Sequence, residues 1–200
     1  MIRILYLLIL SSTLWSLAIP LFAQSDKAAV RATGAVAVQA EKPIYLYSDE
    51  VTIAIKLPYG WSLDSKNKYP FYFWLKGDSY ESSHTYMYIT VEALEVTFEQ
   101  SINADVSTYK QYCSELNIEN LPTTSLLQQD FENNTQIFTC NKEQEPYVDL
   151  ITKINFNGSL VHVALSAETS DEIELYRKDY NFLLKHLIMI KSVINPEQIL

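Results

Sequence analysis

Residues 147–167 read Tyr-Val-Asp-Leu-Ile-Thr-Lys-Ile-Asn-Phe-Asn-Gly-Ser-Leu-Val-His-Val-Ala-Leu-Ser-Ala, and they decide the fold. In the first half Val148, Leu150, Ile154 and Phe156 fall on one side of an extended chain, with Asp149, Lys153 and Asn155 on the other. That period of two belongs to a strand with one apolar face. Asn157-Gly158 follows where a tight hairpin needs positive φ, and Leu160–Ala167 supplies the returning strand. The spacing therefore predicts an antiparallel β-hairpin.

C-terminal to the hairpin, Thr169 and Glu172 form a capping box, and Asp171 adds a favourable charge at a helix start. Ile173, Tyr176, Tyr180, Leu183, Leu187 and Ile190 continue as an apolar stripe, predicting one long helix that lies on the sheet. Moving N-terminally, the spacing predicts strands at Ile137–Cys140 and Ser125–Phe131, with Asn133-Asn134 as a hairpin turn. Before them, Val106, Tyr109, Cys113 and Leu116 share one side of a helix, capped by Asn103 or Asp105 and ended by Asn117. Further upstream, strands are expected at Tyr86–Leu94, Phe71–Leu75, a short stretch from Trp61, and Val51–Leu57. Strands, a helix, strands and a long helix make an α+β domain with a largely antiparallel sheet.

The chain divides into an expected signal peptide at 1–23, a flexible Ala-rich lead-in at 24–43, one α+β domain at 44–192 and a tail at 193–200. Arg3 precedes an uncharged run from Ile4 to Ala23 that Pro20 breaks near its end, the pattern of a cleaved secretory signal. An uncleaved anchor is the rival reading, since a run of about 20 apolar residues can span a bilayer. The formal charge is −9, and loss of the segment removes only Arg3. A chain this acidic is repelled by phosphate backbones and anionic lipid, which argues against nucleic-acid binding. Membrane contact is expected only if the signal segment is retained.

Val51-Thr-Ile-Ala-Ile-Lys-Leu-Pro-Tyr-Gly-Trp61 resembles the opening segment of PsbP/Mog1/DcrB-like domains. Leu160–Ala167, with the helix bearing Tyr176, Tyr180 and Leu183, resembles their closing strand and helix. The resemblance implies a six- or seven-stranded antiparallel sheet between helices, an α/β/α sandwich. It also implies binding or accessory duties, in photosystem assembly, GTPase binding, chaperoning or the bacterial envelope. The cysteine lipid anchor of the bacterial envelope members is missing, and no functional residue carries over.

Motifs for catalysis or metal binding are absent from the sequence: there is no G-x-S-x-G, phosphate-binding Gly-rich loop, H-E-x-x-H or C-x-x-C. No cofactor is expected. His84 sits near Asp78 and Glu81 in a polar loop, a loose metal spacing that a solvated loop explains as well; His162 reads as a packing residue on a strand and His186 as a solvent-facing helix residue. Cys113 and Cys140 are expected to form a disulfide, as the even count in an exported protein favours, with an inert core thiol or a nucleophile served by His162 as the rival readings. An aromatic surface near Tyr59, Trp61, Tyr80 and Tyr86 is the candidate partner face, with a buried Trp61 as the rival reading. The expected function is an exported, non-catalytic binding or accessory protein whose partner is a protein or envelope component. The alternative is a small secreted hydrolase or redox enzyme with a site assembled in three dimensions. A pocket gathering His162, Cys113 and carboxylates would favour the enzyme, and a flat aromatic patch the binding protein.

Overall fold

The computed structural model describes residues 42–64, 69–79, 82–141 and 146–192. The predicted signal segment, most of the lead-in, the tail and Tyr80 lie outside the described residues. The central hairpin forms as its pattern dictates: strands β8 (Tyr147–Phe156) and β9 (Ser159–Ala167) pair antiparallel with Phe156 opposite Ser159. Asn157 and Gly158 take φ of 52° and 86°, the two left-handed positions that this short turn requires.

The hairpin is the middle of a seven-stranded antiparallel sheet of order β3-β4-β5-β9-β8-β7-β6. Its other members are β3 (Trp61–Leu63), β4 (Phe71–Leu75), β5 (Tyr86–Ala93), β6 (Glu115–Leu121) and β7 (Asn133–Asn141). Helix α1 (Phe98–Tyr112) lies on one face and α2 (Ser170–Lys185) on the other. A second sheet of order β1-β2-β10 joins β1 (Ile44–Tyr47), β2 (Val51–Ile55) and β10 (Ile188–Lys191). The main core gathers Ile53 and Met189 from the small sheet, Phe73, Leu150 and Val163 from the large one, and Leu183 from α2. Burial of such side chains stabilises by about 1.5–3 kcal/mol each relative to exposure.

Several expectations are corrected. The N-cap of helix α1 lies at Thr97, ahead of the predicted Asn103 or Asp105 by about two turns, because Thr97 and Gln100 make a capping box before the apolar stripe. It also ends earlier, at Tyr112, so Leu116 belongs to β6, where it pairs with Cys140. Ser125–Phe131 is a loop; Phe131 plugs the core edge-on against Phe156 at 5.3 Å between ring centroids. Asn133-Asn134 is the start of β7 and not a turn. The Asn133 side chain accepts from Thr124 N at 3.0 Å and donates to Phe131 O at 2.9 Å, tying down the loop before it. Helix α2 keeps its predicted capping box but stops at Lys185, with His186 as C-cap and its ring Nδ1 2.8 Å from Phe182 O. Ile188–Lys191 is therefore a strand, and Met189 points inward opposite Ile53.

Candidate functional site

The predicted aromatic surface does not assemble. Trp61 is 2% exposed: it packs edge-on against Tyr176 of α2, and its Nε1 donates to Asp179 Oδ2 at 3.0 Å. A large ring at a strand start turns toward the nearest apolar layer, and the hydrogen bond satisfies its only polar atom. Tyr86 stands on the opposite face of the sheet, half-buried in a cluster with Tyr72, Trp74 and Tyr88 on β4 and β5. Of the described members of the set, Tyr59 alone is open to solvent, with the Lys76 ammonium 5.5 Å from its ring centroid.

An exposed apolar surface does form elsewhere, on the outer side of the small sheet. Alternation buries Leu46, Ile53 and Met189 and turns their neighbours outward. The register places Tyr45, Ala54 and Ile188 in one cross-strand row and Tyr47, Thr52 and Ile190 in the next. Tyr47 is 69% exposed, Ile190 52%, Tyr45 49% and Ile188 39%. Four large apolar side chains on one flat patch two rows deep make a feature that scattered surface residues do not. Tyr45 and Ile190 are 145 positions apart in the chain, so local pattern does not bring them together. The alternation of Tyr45 and Tyr47 around Leu46 is a readable strand signal; that of Ile188 and Ile190 is masked by the helical stripe before it.

The chemistry-bearing residues gather under α1. Lys153 is 2% exposed, donates to Ser101 O, and meets Asp105 at 2.7 Å. Across the strands it neighbours His162, which in turn neighbours Thr90. Burial, and then the Lys153 charge, lower the His162 pKa from 6.5. Asp149 accepts from the Tyr109 hydroxyl, and burial raises its carboxyl above the usual carboxylate value. Asp149 Oδ1, Thr90 Oγ1 and His162 Nε2 find no partner among the described residues. Cys113 at the end of α1 and Cys140 of β7 stand at disulfide distance, with Cα atoms 5.3 Å apart. Tyr147 Oη is 3.7 Å from Cys113 Sγ.

This cluster holds α1 to the sheet. Neither the cavity of about 320 Å³ nor the one of about 250 Å³ is lined by His162 or Cys113. His84 pairs with Glu168 and not with Asp78, and no group of three or more potential metal ligands occurs among the described residues. No helix of the described residues is long and apolar enough to cross a membrane.

No family model matches the sequence, and no curated protein matches it. Solved structures do match the fold. LpqN of Mycobacterium tuberculosis, described as involved in cell envelope biogenesis, superposes with a TM-score of 0.52 at 9% identity, over 74% of this chain and 89% of its own. Cyanobacterial PsbP of Synechocystis sp. PCC 6803 gives 0.48 at 13% identity, over 78% and 98%. The Ran-binding protein Mog1p of Saccharomyces cerevisiae gives 0.43 at 12%, over 72% and 85%. At these identities the likeness concerns the fold alone.

Proposed function

We propose that this chain is a non-catalytic binding or accessory protein of the bacterial periplasm or secreted space, and that it docks a protein partner on the outer face of the small sheet. The observation that carries the reading is the exposed quartet Tyr45, Tyr47, Ile188 and Ile190. Tyr and Ile on a flat sheet supply large contact area at low entropic cost. The net charge of −9 disfavours an anionic lipid surface as the occupant and favours a protein with an apolar or basic patch. An extracytoplasmic setting is supported by the signal-like first 23 residues, by the Cys113–Cys140 pair, which suits an oxidising compartment, and by the likeness to the LpqN fold. The enzyme reading loses Cys113 as a nucleophile while its sulfur is bonded to Cys140.

The test compares wild type with the double variant Tyr47→Ser, Ile190→Ser, and with Tyr59→Ser as an exposed-tyrosine control. Cross-linking in the native envelope should give one defined adduct. The double variant should weaken it about tenfold or more, the effect of roughly 1.4 kcal/mol of binding energy, while Tyr59→Ser leaves it intact. An adduct that the double variant keeps overturns the docking face. So does sedimentation of the wild type with phosphatidylcholine vesicles, or a dimer that the double variant dissolves.

A further inference from the structure

A cavity of about 250 Å³ lies between α2 and the end of β6, away from the outer sheet face. Leu121, Leu150 and Leu184 give it apolar walls, and Thr135, Thr152 and Tyr180 place hydroxyls at its floor. An apolar cavity of about 150 Å³ holds one benzene ring, so a single small ring fits here with room to spare. The one cation in the lining, Arg177, is already engaged: its Nε lies 3.0 Å from Glu174 Oε2, and its Nη2 also donates to Glu174. A charged ligand would find no unspent counter-charge in this lining.

The floor has a fixed polarity. Tyr180 Oη is 2.9 Å from the Val163 carbonyl and 2.7 Å from Thr152 Oγ1, and Thr152 Oγ1 is 2.9 Å from Thr135 Oγ1. A carbonyl can only accept, so the single phenolic hydrogen goes to Val163 O. Tyr180 oxygen then accepts from Thr152, and Thr152 oxygen accepts from Thr135. All three hydroxyl hydrogens are thereby assigned. The outermost group, Thr135, faces the cavity with lone pairs only.

We infer that this cavity is a binding site for a small uncharged ligand with an apolar ring or short chain and a hydroxyl or N–H group that donates to Thr135 Oγ1. At Thr135 an acceptor-only ligand of the same shape meets oxygen lone pairs, so it binds more weakly than the donor. The selectivity comes from the direction of the hydroxyl chain, which the Val163 carbonyl sets from a distance of three residues. Thr152 and Tyr180 act through Thr135 and are positioning residues.

Phenol and anisole separate the two cases, since anisole replaces the donor hydrogen with a methyl group. Each is titrated into ¹⁵N-labelled protein at millimolar concentration, following the backbone amides of Thr135, Tyr180 and Asn181. Phenol is expected to shift these amides and to bind about three- to tenfold more tightly than anisole, the range of one net neutral hydrogen bond. Thr135→Val should erase the preference by weakening phenol, and Thr135→Ser should retain it. Equal binding of the two probes by the wild type overturns the inference, whatever the variants do. So does a preference that survives Thr135→Val, or an absence of shifts at these three amides.

Discussion

The two faces of the seven-stranded sheet are held to their helices by different physics. Under α2 the sheet presents Val148, Leu150, Ile154, Val163 and Leu165, and the helix answers with Ile173, Tyr176, Tyr180, Leu183 and Leu184. The buried hydroxyls on that side, Thr135, Thr152 and Tyr180, bond to one another and to a carbonyl. Under α1 the same strands present Asp149, Lys153, His162 and Ser166, and the helix buries only Phe98 and Ser101. It is held by the Lys153–Asp105 ion pair, by hydrogen bonds from Lys153 to Ser101 O and from Tyr109 to Asp149, by a small apolar cluster in which Val106 and Tyr109 pack on Phe138, Ile151 and Ala164, and by the cysteine pair at its end. Non-directional area tolerates small changes on one side. On the other, a few directional contacts each carry a large share, and loss of any one should act locally on α1.

The largest effect expected from this contrast is at the buried ion pair. Asp105→Ala leaves the Lys153 ammonium enclosed with only the Ser101 carbonyl, and should cost about 3–5 kcal/mol in urea unfolding. Lys153→Met removes the charge that is buried and leaves Asp105, whose side chain is 24% exposed, to water. Its cost should stay below about 1.5 kcal/mol, as for a volume-conserving replacement. Equal costs for the two variants would mean that the face is not charged by Lys153 in the way described.

Next in size is the covalent tie. Replacing Cys113 and Cys140 by Ser opens a link 27 residues apart in sequence, for which the loop-entropy relation gives about 3.5 kcal/mol. Hydrogen exchange should show where the loss falls. Amides of 106–112 should lose protection in the variant while those of 176–184 keep theirs. Uniform loss across both helices would break the contrast between the faces.

The sheet could be read from the sequence because the 147–156 strand largely alternates and a turn dipeptide follows it, and because Thr169 and Glu172 cap α2. The misreadings share a cause. Leu187 and Ile190 continue the helical stripe with no glycine or proline before Pro196, so the change from helix to strand at His186 has no local marker. Leu116 continues the α1 stripe in the same way, although it is a strand residue. Residues 125–131 hold Leu126, Leu127 and Phe131 with no glycine or proline, yet the side chain of Asn133 and the fit of Phe131 into the core determine a loop. The candidate docking face was hidden for a different reason: its two halves, at residues 45–47 and 188–190, become neighbours only by pairing on either side of β2. The buried polar side chains under α1 are visible in sequence only as the outward half of an alternating strand, where solvent was the natural expectation.

The smallest effect is a slope. His162 is enclosed by Thr90 and Lys153 on the neighbouring strands, with Asp105 on α1, and its pKa is lowered chiefly by burial and next by the Lys153 charge. As pH falls through the unfolded value of 6.5, the unfolded chain takes up a proton that the folded chain refuses. The unfolded state then binds more protons, so stability is present above that pH and declines toward acid. Asp149 has the opposite sign: its raised pKa lets the folded chain take up a proton first, which favours the folded state as pH falls toward the ordinary carboxylate range. The His162 contribution is therefore read as a difference, wild type minus His162→Gln, in urea unfolding from about pH 8 to about pH 5.5, around the ordinary histidine value. The wild type should lose stability on the acid side more steeply than the variant. Parallel curves would show that the imidazole is solvated in the folded protein, and with that the picture of a closed, charged face under α1 would fail at its centre.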